Sequence, residues 1–538
     1  MLATLALLGV VSAATAPNNL DSLVYGLPRQ VMWMQAGSVE HFATDRLRQL
    51  TMPPFAEYAG VHLMILSGGD RLANLVQWLA LGASAVVASV IARDLGGDRV
   101  VQLLAALLVV TVPPAALQAL NAKNDVVLGL WALVLGATFV RIVHRGRFET
   151  RDAAVGGAAL GLAVLTKGTA LPIMAPLALA MLVAAVVARR RGLVARLVLA
   201  GAIALALNAG YFARNYAAFG APFGADRFGG FGMTNEIHTP AAIVSNLVRN
   251  VALHLGTPSA AANRQLTAGV ERIHAWLGIS PLSRKTSITA ASFFAVELAY
   301  DEDRASAPFH VVLGGLLLVG LVWGAARGRI GRIAVLYGAL PIAAFAAFCV
   351  GLRWQPWGSR LHVPMLLLLA PAMAVAVSGP RERVAAVVLG GLAVAVLVPF
   401  LLYGRQKPLA GGDLLGAGRL ETMLRPWPAL VEPLRRTVAA TAELRPRVVG
   451  LHVAVQFGDL DGLVEYPVQR TLLDAMPAAP RFVFPWASVA PQLRDRTLIP
   501  DAVVVAGAAR PAVVDGASGA RFVPHSSFPP YTVYRRAD

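Results

Sequence analysis

The chain has 538 residues, 57% of them hydrophobic and only 14% charged, with a formal net charge of +17 and a mean hydropathy of +0.61. That balance excludes an ordinary soluble domain and points to a mainly α, polytopic membrane protein, because repeated apolar runs are read as spanning helices. The positive charge does not mark a nucleic-acid binder, since the arginines gather in short connectors between apolar runs.

The pattern predicts eleven spans in chain order. They are Leu2–Ala16, Leu72–Ala92, Val100–Leu120, Asp125–Val143, Ala153–Thr166 and Ala170–Val187, followed by Leu197–Phe212, His310–Ala326, Ile333–Gly351, Leu361–Ser378 and Val384–Tyr403. The first has no basic flank before it, so it reads as a slightly shortened first helix rather than a signal peptide. The single cysteine, Cys349, lies inside a span and has no disulfide partner. Arg93/Arg99, Arg141/Arg145/Arg147/Arg151, Arg189–Arg191/Arg196, Arg327/Arg329/Arg332 and Arg381/Arg383 fall on one side. The positive-inside rule makes that side cytoplasmic. Only Leu352–Arg360, with two arginines, pulls the other way. The protein is therefore expected in the inner (plasma) membrane, with the first loop, the long segment before His310 and the C-terminus facing outward.

The first outer loop, residues 17–71, is polar, aromatic and charged. Leu20, Leu23, Leu27, Val31 and Met34 recur near helical spacing, which predicts a surface helix that Pro28 kinks or splits. Asp21, Tyr25 and Arg29 fall four apart and share a local face. Near the start of that helix Asp21 is favoured in its ionised form. This suits a base or a metal ligand, and it suits a plain N-cap equally. Pro53-Pro54 breaks the chain, and Glu57 and His62 then read as solvated residues of a second surface helix.

Outward basic residues near span ends need an explanation that the insertion signal does not supply. Lys123, Lys167, Arg353 and Arg360 are the clearest. Snorkelling to headgroups explains any one of them; as a set facing an acidic loop they suit a lipid-linked phosphate. Asp125 stands beside Lys123 at a span entrance, where a helix N-terminus favours it. Gly157 and Gly161 form a small-residue stripe read as helix packing.

The long outer segment, residues 213–309, carries Thr239-Pro240 as a helix start and Gly256 as a stop, with a glycine-rich stretch at Gly220–Gly232 read as a flap. Asp301, Glu302, Asp303 and His310 then form a cluster that reads first as a solvated surface turn and otherwise as a site for a divalent cation. Residues 405–538 contain no further span. Strands at Val448–Val455, Ala502–Ala506 and Tyr531–Tyr534 and a helix at Leu463–Ala475 predict a small extracytoplasmic α/β domain after the membrane domain of residues 1–404.

N-N-L-D-S-L-V-Y-G-L-P-R, M-P-P-F-A-E-Y, K-N-D at a span entrance, L-T-K-G and R-N-Y-A-A-F-G-A-P together resemble the bacterial multispanning glycosyltransferases of the GT-C class. Within it they look like the dolichyl-phosphate-mannose protein mannosyltransferase-like and aminoarabinose-transferase-like branch, family 39-like. The resemblance implies a sugar donor linked to polyprenyl phosphate, a glycan, lipid or protein acceptor on the outer face, and inversion at the sugar. It maps a catalytic acidic residue onto Asp21 and a second onto Asp125. Lys123, Lys167, Arg360 and Arg353, with Arg29 and Tyr25, are then the donor-phosphate residues. The first loop has Asp21-Ser22 where the protein mannosyltransferases carry an adjacent acidic pair, which leaves acceptor and metal open. Any divalent cation would be sought at Asp21, Asp125, Glu302, Asp303 and His310. A secondary transporter or a non-catalytic lipid-binding membrane protein are the alternatives; against the former, no repeated pair of broken helices is visible.

Overall fold

Long apolar runs without interior charge fold here into helices, and polar breaks fall where proline or glycine removes a donor or permits a turn. The computed structural model describes residues 1–188, 192–224, 232–288, 294–379, 382–411, 414, 416–453, 465–507, 512–515 and 518–537. From the N-terminus come α1 (Leu2–Ala14), a π-helical turn at Ser22–Gly26, α2 (Leu27–Ala36), α3 (Leu47–Thr51) and α4 (Phe55–Ser67). There follow α5 (Leu75–Asp94), α6 (Arg99–Val110), α7 (Pro113–Gln118), α8 (Asp125–Arg145), α9 (Thr150–Thr166), α10 (Ala170–Val187) and α11 (Leu193–Phe219). The long segment forms α12 (Pro240–Ala252) and α13 (Ala260–Leu277), and the bundle closes with α14 (Pro308–Ala326), α15 (Arg332–Gly351), α16 (Val363–Ala376) and α17 (Glu382–Tyr403).

A helix forms at each of the expected spans, and among the described residues eight are long and apolar enough to cross a membrane. One expectation is corrected. Val100–Leu120 is not one helix: α6 stops at Val110, Val112 is extended, and Pro113 restarts the chain as the first residue of α7. Proline lacks the N–H that a continuous helix would need there and disfavours a helical residue before it. The small-residue stripe on α9 packs as expected, since a Cβ at Gly161 would lie 2.8 Å from the Ala204 Cα of α11.

Polar side chains tie the helix ends together at one face. Asn74, heading α5, donates to the carbonyls of Ser12 and Thr15 at the end of α1. Gln77 accepts from the Val126 N–H at the start of α8 and donates to the Gln118 carbonyl of α7. The connectors bearing Arg93 and Arg99, Arg145 and Arg147, and Arg327 and Arg332 fall at the opposite helix ends. The chain is a multi-pass membrane protein.

Among the described residues the C-terminal unit has α18 (Arg419–Met423), α19 (Val431–Glu443), α20 (Glu465–Ala475) and six strands. These are β1 (Val448–Val453), β2 (Arg481–Val483), β3 (Ala502–Ala506), β4 (Val513–Val514), β5 (Arg521–Phe528) and β6 (Tyr531–Arg536), in the order β2-β1-β3-β6-β5-β4. The β1 strand runs parallel to β2 and β3, and the remaining pairs are antiparallel. Every residue of β3 is buried, as an apolar central strand requires. This unit does not stand apart from the first outer loop: Leu23, Leu27 and Val31 share one hydrophobic core with Leu434, Tyr466, Leu472 and Phe482.

Candidate active site

The site begins with a proline. Pro28 has no N–H, so the carbonyl four residues earlier, that of Val24, loses its helical partner. The chain accommodates this as the π-helical turn, in which the Leu27 N–H donates to the Ser22 carbonyl. Gln49 of α3 supplies the missing donor, its Nε2 lying 3.0 Å from the Val24 carbonyl.

Asp21 stands at the head of that turn, but its side chain caps nothing. Its carboxylate turns instead to cations: Arg360 Nη1 at 2.7 Å, Arg48 Nη1 at 3.4 Å and Lys123 Nζ at 3.9 Å. Burial alone would raise its pKa, but Arg360, Lys123 and Arg48, with Lys167 beyond them, prevail and hold the carboxyl well below its usual range. Arg360 comes from the short helical turn that leads into α16, and the same Nη1 lies 2.7 Å from Asp303 Oδ1. That oxygen also accepts from Lys123, while Asp303 Oδ2 accepts from Asn19 at 3.0 Å. Against its burial, Arg360 and Lys123 bring Asp303 down to about 2. Lys167, between α9 and α10, pairs with Asp125. Burial lowers the Lys167 pKa, with Asp125 acting against it.

The cations and carboxylates Asp21, Lys123, Asp125, Lys167, Asp303 and Arg360 are thus brought to one cluster by five separate stretches of chain. Arg48 joins them; it is a basic residue of the first loop, on the same expected side as Lys123, so the reasoning that singled out Lys123 could have found it. Glu302, beside Asp303, points the other way, into the protein. Burial, helped by Asp303 and Asp301, pushes its carboxyl up to about 8. Its side chain accepts from Asn121.

Other expected residues go elsewhere. Arg29 does not share the Asp21 network: it is 1% exposed, ion-paired at 2.7 Å with Glu57 and hydrogen-bonded to the Met52 carbonyl at 2.7 Å. Glu57 is accordingly buried rather than solvated, whereas His62 is exposed. Tyr25 is buried with Arg29 6.0 Å from its ring centroid, and burial, then Asp21 and Glu57, raise its pKa. Arg353 pairs with Glu236 of the long segment. His310 lies in α14 against the Leu108 carbonyl. Of the Gly220–Gly232 flap, residues 225–231 lie outside those described.

The carboxylates do not fit a divalent cation as they stand. Asp21, Asp125 and Asp303 each face a Lys or Arg, and among the described residues no group of three His, Cys, Asp or Glu side chains could hold a metal.

No family model matches the chain, and neither does any curated protein. Solved structures do. ArnT from Cupriavidus metallidurans, in the apo state and bound to undecaprenyl phosphate, superposes with a TM-score of 0.52 at 16% identity, covering 99% of this chain and 97% of that one. The archaeal oligosaccharyltransferase AglB from Archaeoglobus fulgidus, in complex with an inhibitory peptide and a dolichol-phosphate, gives a TM-score of 0.45 at 14% identity over 94% of this chain and 69% of that one. Matched by ArnT along nearly its whole length, the chain has the GT-C fold.

Proposed function

We propose that the protein is a membrane glycosyltransferase that moves a sugar from a polyprenyl-phosphate donor to an acceptor on the outer face. The observation that carries this reading is the sharing of Arg360 and Lys123 between Asp21 and Asp303. Two cations held between two carboxylates supply what phosphate departure and attack at the sugar both require, a cationic grip and an adjacent carboxylate. The binding of undecaprenyl phosphate by ArnT, which has the same fold, supports the donor class.

In the proposed reaction the acceptor oxygen bonds to the anomeric carbon while the bond from that carbon to the phosphate oxygen breaks. The electron pair leaves with the phosphate, which gains one negative charge and is held by Lys123 and Arg360. The acceptor's proton passes to Asp21, and attack opposite the leaving group inverts the sugar.

A carboxylate held so far below its usual range is a poor base, and the donor changes that. A unit charge about 4 Å away contributes about 4 kcal/mol at an effective dielectric near 20, or about three pH units. A phosphate taking up Arg360 and Lys123 therefore returns basicity to Asp21. The low pKa of Asp21 also favours a second role, in which the ionised carboxylate stabilises positive charge developing on the sugar ring. Purified protein given a labelled donor should release polyprenyl phosphate only when an acceptor is present. No release under any acceptor mixture from the native membrane would set the proposal aside.

A further inference from the structure

Among its contacts with the first outer loop, the C-terminal unit places one buried carboxylate against the residues that carry the candidate site. Glu465, the first residue of α20, is completely buried and lies against α3 of the first outer loop. Its Oε1 is 3.3 Å from Arg46 Nε, and its Oε2 accepts from Gln49 Nε2. Gln49 is the residue that fills the Val24 carbonyl left open by Pro28, and its own Oε1 accepts from Thr44 at 2.7 Å. Arg48, between these two partners of Glu465, touches Asp21.

Neighbouring ties fix the same loop without reaching the site. Thr44 and Val489 exchange backbone hydrogen bonds of 3.1 and 2.9 Å, and Asp45 accepts from His452 at 2.9 Å and from the Ser488 N–H at 3.2 Å. Gln35 bonds both backbone groups of Phe482. Asp70 accepts from the Tyr466 hydroxyl at 2.6 Å. These contacts hold the loop to the sheet; Glu465 alone among them binds the side chain that completes the π-helical turn.

We propose that Glu465 is a positioning residue of the candidate site, holding Arg46 and Gln49 so that Arg48 and the turn after Asp21 keep their places. The C-terminal unit is then a structural part of the catalytic loop. Its removal or movement changes the geometry around Asp21 without touching substrate. Burial pushes the Glu465 carboxyl up to about 8, so near neutral pH Gln reproduces its charge and keeps one acceptor.

Hydrogen exchange on the full-length protein in lipid nanodiscs tests this without requiring sugar transfer. In Glu465→Ala, amides in residues 20–27 and 47–51 should exchange about tenfold to hundredfold faster, the scale of a lost hydrogen bond to a charged or buried group. The rest of the C-terminal unit should keep its protection, and Glu465→Gln should stay near the parent. If Glu465→Ala does not fold, Gln49→Met decides, with the same loosening expected at 20–27. Unchanged exchange in the two segments would overturn the inference, as would equal loosening throughout the C-terminal sheet. The kinetic arm rests on the proposed function: turnover should fall in Glu465→Ala and return in Glu465→Gln. A parent protein that transfers no sugar would defeat that function and leave the exchange result to decide the positioning role.

Discussion

Arg360 and Asp21 are 339 residues apart in the chain and joined by a 2.7 Å ion pair in the fold. The pair links the turn entering α16 to the loop leaving α1, and Lys123 and Lys167 stand on the same face. Replacing Arg360 or Lys167 by Ala should raise the KM for the donor about tenfold to hundredfold, the scale of one hydrogen bond to a charged group. Initial rates against donor concentration would show it. Unchanged kinetics in both variants at normal expression would leave snorkelling as the better account.

Asp303 occupies the cations that the proposed function assigns to the donor phosphate. Its Oδ1 meets both Arg360 and Lys123, so donor binding must displace it or share its partners. Asp303→Asn removes the competing charge and should tighten binding of polyprenyl phosphate by about tenfold, a change of about 1.4 kcal/mol. Equilibrium binding of labelled polyprenyl phosphate in detergent measures it, and weaker binding would mean that Asp303 serves mainly to hold the cations in place.

Arg29 should act on stability rather than on the donor. It and Glu57 form a buried pair, with side chains 1% and 8% exposed. Removing one partner leaves the other charge buried and uncompensated, which costs about 3–5 kcal/mol. Arg29→Ala should lower the melting temperature and the yield in detergent. The donor KM of the protein that does fold should be unchanged; a raised KM would return Arg29 to the phosphate site.

Glu302 gives the fold a pH dependence of definite sign. Its carboxyl is raised from 4.5 to about 8, so between those values the folded chain holds a proton that the unfolded chain has released. Stability contributed by this group is full below pH 4.5, falls as pH rises and is lost above about 8. Lys123, Asp301, Asp303 and Lys407 are the charged groups that act on it or respond to it. Glu302→Gln removes the slope, so the difference in melting temperature between variant and parent should grow from pH 5 to pH 8. A constant difference across that range would show that Glu302 is ionised in the fold.

Much of the architecture was legible because membrane insertion writes directly into sequence. Apolar runs between arginine-rich connectors placed the helices, and sidedness alone picked out Lys123, Lys167 and Arg360 for the face on which Asp21 also lies. Side-chain partners were less legible, because each depends on an element distant in the chain. Glu57 read as solvated because nothing local announces that Arg29, a full loop away, will cover it. The four-residue spacing of Asp21, Tyr25 and Arg29 assumed regular helix, and the π-helical turn forced by Pro28 sends Asp21 and Arg29 to different partners. Asp303 read as part of a turn because its partners, Lys123 and Arg360, come from two other connectors. The α/β character of the C-terminal unit followed from its strand patterns, down to the bounds of β3. Its docking on the first loop through Asp45, Asp70 and Glu465 did not, since no periodicity encodes which surface a domain covers.

Asp21 is the residue on which the proposed transfer depends, and a single substitution tests that dependence. Asp21→Asn keeps the size of the side chain and removes its charge and basicity. Asn is an equally good helix cap, and the Asp21 side chain caps nothing here, so folding should survive. With purified, folded protein, one polyprenyl-phosphate sugar donor and a native acceptor, turnover per folded molecule should fall about 10²–10⁴-fold, the usual worth of general acid–base catalysis, a separate effect from the stability lost with the ion pairs to Arg360, Arg48 and Lys123. Turnover close to the parent value in Asp21→Asn would mean that Asp21 is not the base.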